Sequence, residues 1–399
     1  MNNTVALVLA GGRIGQYGVL TQNRAKGALT FAGHFRVIDF ALSCLRRAQI
    51  EQIGIIIQYL PSSLIEHVGV GIPWDLNGYG RSLKIMPPFV GVEKTEWYKG
   101  TADALYQNLN FLDDSNPEDV IVMSGEHVVD VDFQDALHAH HDQKADVTFI
   151  VKEMPADRCS SRFGYVTTDD ADRIERFVEK PATIPSQLVS TGIYIFKAAV
   201  LRKLLQQQAG GPDQNLAKDI LEKLAPSMKC YAYRMPGEWG YMETIADFFS
   251  TQMFCLTNEG FERLQRWEVL TNLDFRGVGF AAASKICDGA TVTSSLISPS
   301  CHIEGTVERS ILSPGVIVKK GAVVRDSIIM HDCVVETGAQ LSHVVSDRDV
   351  HFGMNSRVGE DREGMPESEH LVLVGKAARI GDKATVTAGT QVPVRSVVK

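Results

Sequence analysis

The chain has 399 residues, 44% of them hydrophobic and 22% charged, with a formal net charge of −8 at pH 7. That length suggests about two or three domains, and the acidic balance, with no basic block, disfavours nucleic acid or a membrane surface as a partner. The longest apolar run near the N-terminus, Val5–Ala10, is too short for a membrane span or a signal core, so a cytoplasmic protein is expected.

In chain order, the first 250 or so residues alternate short apolar runs with helix-like stretches. Strands are expected at Val5–Leu9, Ile53–Ile57, Val120–Ser124 and Val147–Val151, and amphipathic helices at Phe40–Ala48 and Ala102–Leu112. This rhythm predicts an α/β, Rossmann-like domain over 1–250 with a mostly parallel sheet and ligands at the carboxyl ends of the strands. Phe248–Thr271 reads as helical, giving a linker over 251–277. From 278 to 399 the period changes. Ile311, Ile317, Val323, Ile329, Val335 and Leu341 each stand six residues from the last, with glycine and small polar residues between. A six-residue period of β-branched residues predicts a parallel β-helix, each coil contributing three short strands. The polar stretch 359–369 reads as a surface loop. Seven cysteines (44, 159, 230, 255, 287, 301 and 333) form no C-x-x-C pair. They read as reduced, buried thiols, not a disulfide frame or a zinc site.

The stretch "LAGGRIGQYGV" at 9–19 begins like a phosphate-binding turn, with an apolar strand feeding two glycines. Glycines at 11, 12, 15 and 18 do not fit G-x-G-x-x-G, and no G-K-[ST] follows, so the dinucleotide and Walker spacings both fail. Other short signals are ambiguous alone. "EKP" at 179–181, standing alone, reads as a surface ion pair before a proline turn. Gly100 and Thr101 read as a helix N-cap with Asp103 in the first turn and amides facing a cleft. His127 reads as a hydrogen-bonded neighbour of Glu126 rather than a catalyst.

Six blocks in order carry a resemblance: "VLAGG", "RAK" (24–26), "FRVIDFALS" (35–43), "WYKGTADAL" (97–105), "FVEKP" (177–181) and "STGIYIF" (190–196). With the six-residue repeat after them, the chain resembles ADP-glucose pyrophosphorylases (glucose-1-phosphate adenylyltransferases) over nearly its whole length. The resemblance implies that the second domain is a left-handed β-helix and that ATP and glucose 1-phosphate become ADP-glucose and pyrophosphate with Mg²⁺, in glycogen or storage-glucan synthesis. It implies catalytic roles for Lys26, Asp103 and Lys180, and nucleotide contacts at Leu9, Gly11, Gly12, Gln58, Gly100 and Thr101. It places sugar phosphate at Tyr98, Gly164, Glu179, Lys180 and Ser190, and a phosphorylated effector at Arg24 and Arg36. Family members are usually tetramers under allosteric control, implying a homotetramer here or a hetero-oligomer with a homologous subunit.

The departures from the family pattern concern charge. The arginine of the family turn falls on Gln16, and the proline after "RAK" is Gly27. The aspartate that ligates metal becomes Glu126, and the second metal aspartate becomes Tyr241, leaving Glu243 two residues on as a substitute ligand. The effector-linked lysine before "RAK" is Asn23. Three readings stay open: an active adenylyltransferase, a catalytically weak regulatory or binding homologue, and a nucleotidyltransferase for a related sugar 1-phosphate.

Overall fold

The computed structural model describes residues 3–12, 15, 17–88, 97–208, 211, 214–274, 281–362 and 364–399. The chain divides into two compact units. The first comprises Met1–Gly12, Phe40–Pro61 and Val68–Trp239; the second comprises Arg13–Asp39, Ser62–His67 and Gly240–Lys399. The second unit therefore takes in two short segments from the N-terminal part of the chain.

The first unit is built on a nine-stranded sheet. Strands Ser82–Met86, Gln52–Ile56, Thr4–Leu9 and Asp119–Ser124 lie side by side and parallel. Val5 to Val8 and Val120 to Met123 are fully buried, as strands covered on both faces require. Beyond Asp119–Ser124 the sheet turns antiparallel, because the long strand Leu188–Lys197 runs back against it. That strand also pairs with Val147–Glu153 and, near its start, with Gly164–Thr168, which in turn pairs with Ile174–Glu179. The register against Val147–Glu153 slips between Ser190 and Ile193, where Gly192 adopts φ +74°. The helix expected over Ala102–Leu112 is two helices, Thr101–Gln107 and Leu109–Ser115. They break at Asn108, whose side-chain amide donates to the Ala104 carbonyl at 2.8 Å and so competes with the helical ladder.

Most of the second unit is a three-sided parallel β-helix with sheets of seven, six and six short strands. Its interior column is Leu312, Val318, Val324, Ile329, Val335 and Leu341. The strict six-residue expectation holds for Ile329, Val335 and Leu341 but fails at Ile317 and Val323, which are only half-buried. The cause is coil length. Leu312 pairs with Ile329, Val318 with Val335 and Val324 with Leu341, each 17 residues on, so every third side is one residue short of six. The inward position shifts by one at that corner, where Asp326 takes φ +44°. The expected connector resolves into helices Ile245–Phe254 and Asn258–Arg266. Thr244 and Asp247 form a capping box on the first, and the Thr257 hydroxyl caps the second. Among the described residues, no helix is long and apolar enough to cross a membrane.

Candidate active site

Three parallel strands end together in the first unit. The Ala10 N–H donates to the Ile56 carbonyl at 2.8 Å, and the Gly125 N–H donates to the Leu9 carbonyl at 2.9 Å. The turn leaving Leu9 is crowded. A Cβ on Gly11 would stand 3.2 Å from the Gln58 Cβ, and one on Gly12 would stand 2.3 Å from Glu126 Oε2. Protein atoms thus approach both glycines closely, the backbone and Cβ of Gln58 at Gly11 and the Glu126 carboxylate at Gly12. The Gly12 N–H donates to Glu126 Oε1 at 2.7 Å, and the Glu126 N–H donates to the Ser124 hydroxyl at 3.1 Å. A carboxylate therefore sits on a backbone donor that the resemblance assigns to a nucleotide. Gln16, the altered turn position, lies outside the described residues.

Gln58 follows its strand and donates to the Tyr98 carbonyl at 3.4 Å. Tyr98 is buried; its hydroxyl donates to the Met86 carbonyl at 3.3 Å and accepts from Asn108 at 3.0 Å. Burial pushes its phenol pKa up, so it stays neutral. The expected cap at Gly100–Thr101 needs correction. Gly100 is the N-cap without a side-chain bond, and Thr101 is the first helical residue. The Thr101 hydroxyl accepts from the Leu216 N–H at 2.9 Å, and the Ala102 N–H donates to the Gln214 carbonyl at 2.7 Å. That amide is therefore satisfied by protein and does not face an open cleft. Asp103 is buried and accepts from the Lys99 N–H at 2.8 Å and Gln107 at 2.9 Å, which fixes the entry to the helix.

The sheet gathers Gly164, Glu179 and Ser190, three of the residues the resemblance assigns to the sugar phosphate. Gly164 pairs directly with Glu179 on one neighbouring strand and with Ser190 on the other, so the three stand in one cross-strand row. A Cβ on Gly164 would lie 2.5 Å from Glu179 Oε2. The Glu179 N–H donates to Glu222 at 3.1 Å, and Ser190 lies 3.4 Å from the Tyr194 hydroxyl. Burial, with Glu179 adding to it, drives the Tyr194 pKa far up, so Tyr194 is a neutral partner. Lys180 follows Glu179 as its strand ends, with φ +51° and its N–H donating to the Phe163 carbonyl at 3.0 Å. The His127 ring packs edge-on against Trp239 at 6.1 Å.

Lys26, Arg24, Arg36 and Glu243 belong to the second unit. Lys26 is buried with Nζ 5.0 Å from the centre of the Tyr17 ring, and the Tyr17 hydroxyl donates to the Met242 carbonyl at 2.8 Å. Arg24 grips both carboxylate oxygens of Asp347, at 2.5 and 2.7 Å. The Arg36 guanidinium donates to the Thr30 hydroxyl, and the Arg36 backbone N–H donates to the Asp39 carboxylate at 2.7 Å. Both arginines line a cavity of about 50 Å³ with His331, Arg348 and Lys376. Glu243 accepts from the Tyr241 hydroxyl at 2.8 Å, so the residue at the altered metal position engages its substitute ligand. Asp347, Arg348 and Lys376 escape sequence reasoning: Arg24 and Asp347 are 323 residues apart, and no local pattern marks the pair.

A divalent cation is compatible with Glu126, whose carboxylate is a hard oxygen donor at the strand ends. Mg²⁺ commonly takes one or two carboxylates and completes its shell with water and substrate phosphates.

Comparison with known proteins gives the family of the chain. The family described as "Nucleotidyl transferase" matches residues 5–258, and "GlmU-like, C-terminal hexapeptide" matches 280–389. Relatives named glucose-1-phosphate adenylyltransferase include one from Desulfitobacterium hafniense (strain Y51), 33% identical over 97% of both chains. One from Acetivibrio thermocellus is 33% identical over 99% of this chain and 92% of its own. Another, from Bacillus cytotoxicus, is 38% identical over 94% of this chain and 98% of its own. The β-helix is accordingly of the left-handed hexapeptide type, and the chain is a nucleotidyltransferase belonging to the glucose-1-phosphate adenylyltransferase family.

Proposed function

We propose that the chain transfers the adenylyl group of ATP to glucose 1-phosphate, releasing pyrophosphate, in the cytoplasm and in service of storage-glucan synthesis. The observation that carries this reading is the row Gly164–Glu179–Ser190, with Lys180 next to Glu179, in the same sheet as the strand that feeds the turn at Gly11–Gly12. Glu179 accepts from sugar hydroxyls, Ser190 and Tyr98 flank the sugar, and Gly164 leaves room for it. Lys180 meets the sugar phosphate as a point charge. Leu9, Gly11, Gly12, Gln58, Gly100 and Thr101 contact the nucleotide, Asp103 fixes the helix beside it, and Lys26 supplies positive charge. Such a reaction depends mainly on positioning and charge neutralisation, not on covalent intermediates. Glu126 would hold Mg²⁺, with Glu243 the weaker candidate; the ion neutralises phosphate charge. Arg24 and Arg36, with Lys376, would receive a phosphorylated effector in their cavity. The working assembly would be a homotetramer or a hetero-oligomer with a homologous subunit.

The test is pyrophosphate release by the purified full-length chain with ATP, glucose 1-phosphate and Mg²⁺. Lys180→Ala is expected to raise the KM for glucose 1-phosphate by about tenfold or more, equivalent to about 1.4 kcal/mol. No release, alone or with a homologous subunit, would overturn the reading. One observation favours a second, catalytically silent binding subunit: Glu126 occupies the Gly12 donor. Binding of glucose 1-phosphate without turnover, together with altered kinetics of a homologous partner, would establish it.

A further inference from the structure

The first coils of the β-helix bring together three side chains that the transfer reaction does not use. Ile286 pairs with Ile303 on the next coil, so the residues that follow them, Cys287 and Glu304, occupy equivalent places one above the other. The Cys287 N–H donates to the Ile303 carbonyl at 2.8 Å and locks this register. His302 precedes Glu304 by two residues and so projects from the same outer face. His302 Nε2 stands 3.5 Å from Cys287 Sγ and 3.0 Å from Glu304 Oε1, and the three atoms lie within 4.8 Å of one another. All three side chains are half-buried and can be reached from solvent.

We propose that Cys287, His302 and Glu304 bind a divalent cation of the zinc class. Tetrahedral zinc holds sulfur at about 2.3 Å and nitrogen or oxygen at about 2.0–2.2 Å, which separates ligand atoms by roughly 3.3–3.6 Å. The two spacings through His302 need only a few tenths of an ångström of adjustment, and the sulfur and carboxylate, within 4.8 Å of each other, close by side-chain rotation. Thiolate with imidazole selects zinc or a similar soft-to-borderline ion over Mg²⁺. The parallel coils fix the ligand backbone in advance, since neighbouring strands repeat every ~4.8 Å. Cys287 loses its proton to solvent as the sulfur–metal bond forms, neutral His302 binds through Nε2, Glu304 binds through one oxygen, and water fills the fourth position. Lys319, in the equivalent place one coil further on, attracts Glu304 and is the charge the cation must outcompete. In the related pair His351–Glu336, 3.3 Å apart, Glu336 stands in the place of Cys287 and Gly353 in that of Glu304, so no thiolate is offered and the pair serves as an internal contrast. No C-x-x-C motif marks the site because its ligands come from adjacent coils.

The experiment titrates Co²⁺ into the full-length, metal-stripped protein in excess Mg²⁺. One equivalent is expected to produce thiolate-to-cobalt charge-transfer absorption, and Zn²⁺ is expected to abolish it by displacement. Zinc should also protect Cys287, but not half-buried Cys159, from alkylation read by mass spectrometry. Cys287→Ser is expected to abolish the absorption and weaken zinc binding by about a hundredfold or more; Glu304→Gln is expected to weaken binding but keep the absorption. Absence of the absorption in wild type, or its persistence in Cys287→Ser, overturns the proposal. Either result is independent of turnover.

Discussion

Glu126 Oε1 accepts the backbone N–H of Gly12 at 2.7 Å across 114 residues of sequence. The contact joins two features read separately from the sequence, a glycine pair after a strand and an acid after another. Glu126→Gln keeps an acceptor for Gly12 but removes the charge. We expect kcat for pyrophosphate release to fall by about 10²-fold or more, with a smaller change in the KM for ATP. An unchanged kcat would remove Glu126 from any metal-holding role.

Gly164 stands between two strands with no room for a side chain. In Gly164→Ala the new methyl would meet Glu179 Oε2 at 2.5 Å and the Phe177 ring at 2.8 Å. The carboxylate can swing aside, whereas the ring is fully buried. A loss of about 1–3 kcal/mol is expected, read by chemical denaturation, with weaker binding of glucose 1-phosphate by calorimetry. Full stability with normal binding would show that the strands part without cost.

The Arg24–Asp347 pair is almost entirely shielded from solvent, with side chains 9% and 3% exposed. Removing Arg24 leaves the buried Asp347 carboxylate with the Arg348 N–H at 2.6 Å and the more distant charges of Lys376 and Arg36. Arg24→Ala is expected to destabilise the second unit by about 3–5 kcal/mol. Combining it with Asp347→Ala should cost much less than the sum of the single changes, and the coupling is read from a double-mutant cycle of denaturation midpoints. Additive effects would show that the contact contributes nothing of its own.

Asp119 is pushed up by burial, but hydrogen bonds from His140 and His141, with their nearby charge, hold its pKa below the ordinary value. His141 Nε2 lies 2.6 Å from its carboxylate. A carboxyl with a depressed folded pKa contributes stability above its unfolded pKa of about 3.9 and loses it as pH falls through the folded value. The gap in melting temperature between wild type and Asp119→Asn should therefore shrink as pH drops below about 4. A gap that widened on acidification would contradict the sign.

Burial separates the cysteines into two classes. It raises the Cys44 thiol to about 11 and those of Cys230, Cys255 and Cys333 to about 12, so these are inert. Alkylation of the native, metal-free protein should label Cys159 and Cys287 first. Early labelling of Cys333 would show that the β-helix opens.

The four strands expected in the first unit match to within a residue or two, because runs such as Val5–Leu9 and Val120–Met123 have no polar residue to expose and must lie inside a sheet. The break at Asn108 was not, since a side chain that bonds its own helix leaves the apolar spacing intact. Likewise the Thr101 hydroxyl looked like a cap, but its partner, Leu216, lies 115 residues away.

By itself the sequence determined two architectures, one alternating strand with helix and one repeating near six, because local burial periodicity follows from backbone geometry. It also supplied the residue types of a phosphate-handling site. Only the tertiary structure decided the 17-residue coil that moves Val318 and Val324 inward, the row Gly164–Glu179–Ser190, and the carboxylate partners of Gly12 and Arg24. Those depend on register and on contacts between distant segments, which hydrogen-bond geometry and side-chain packing set and local sequence does not encode.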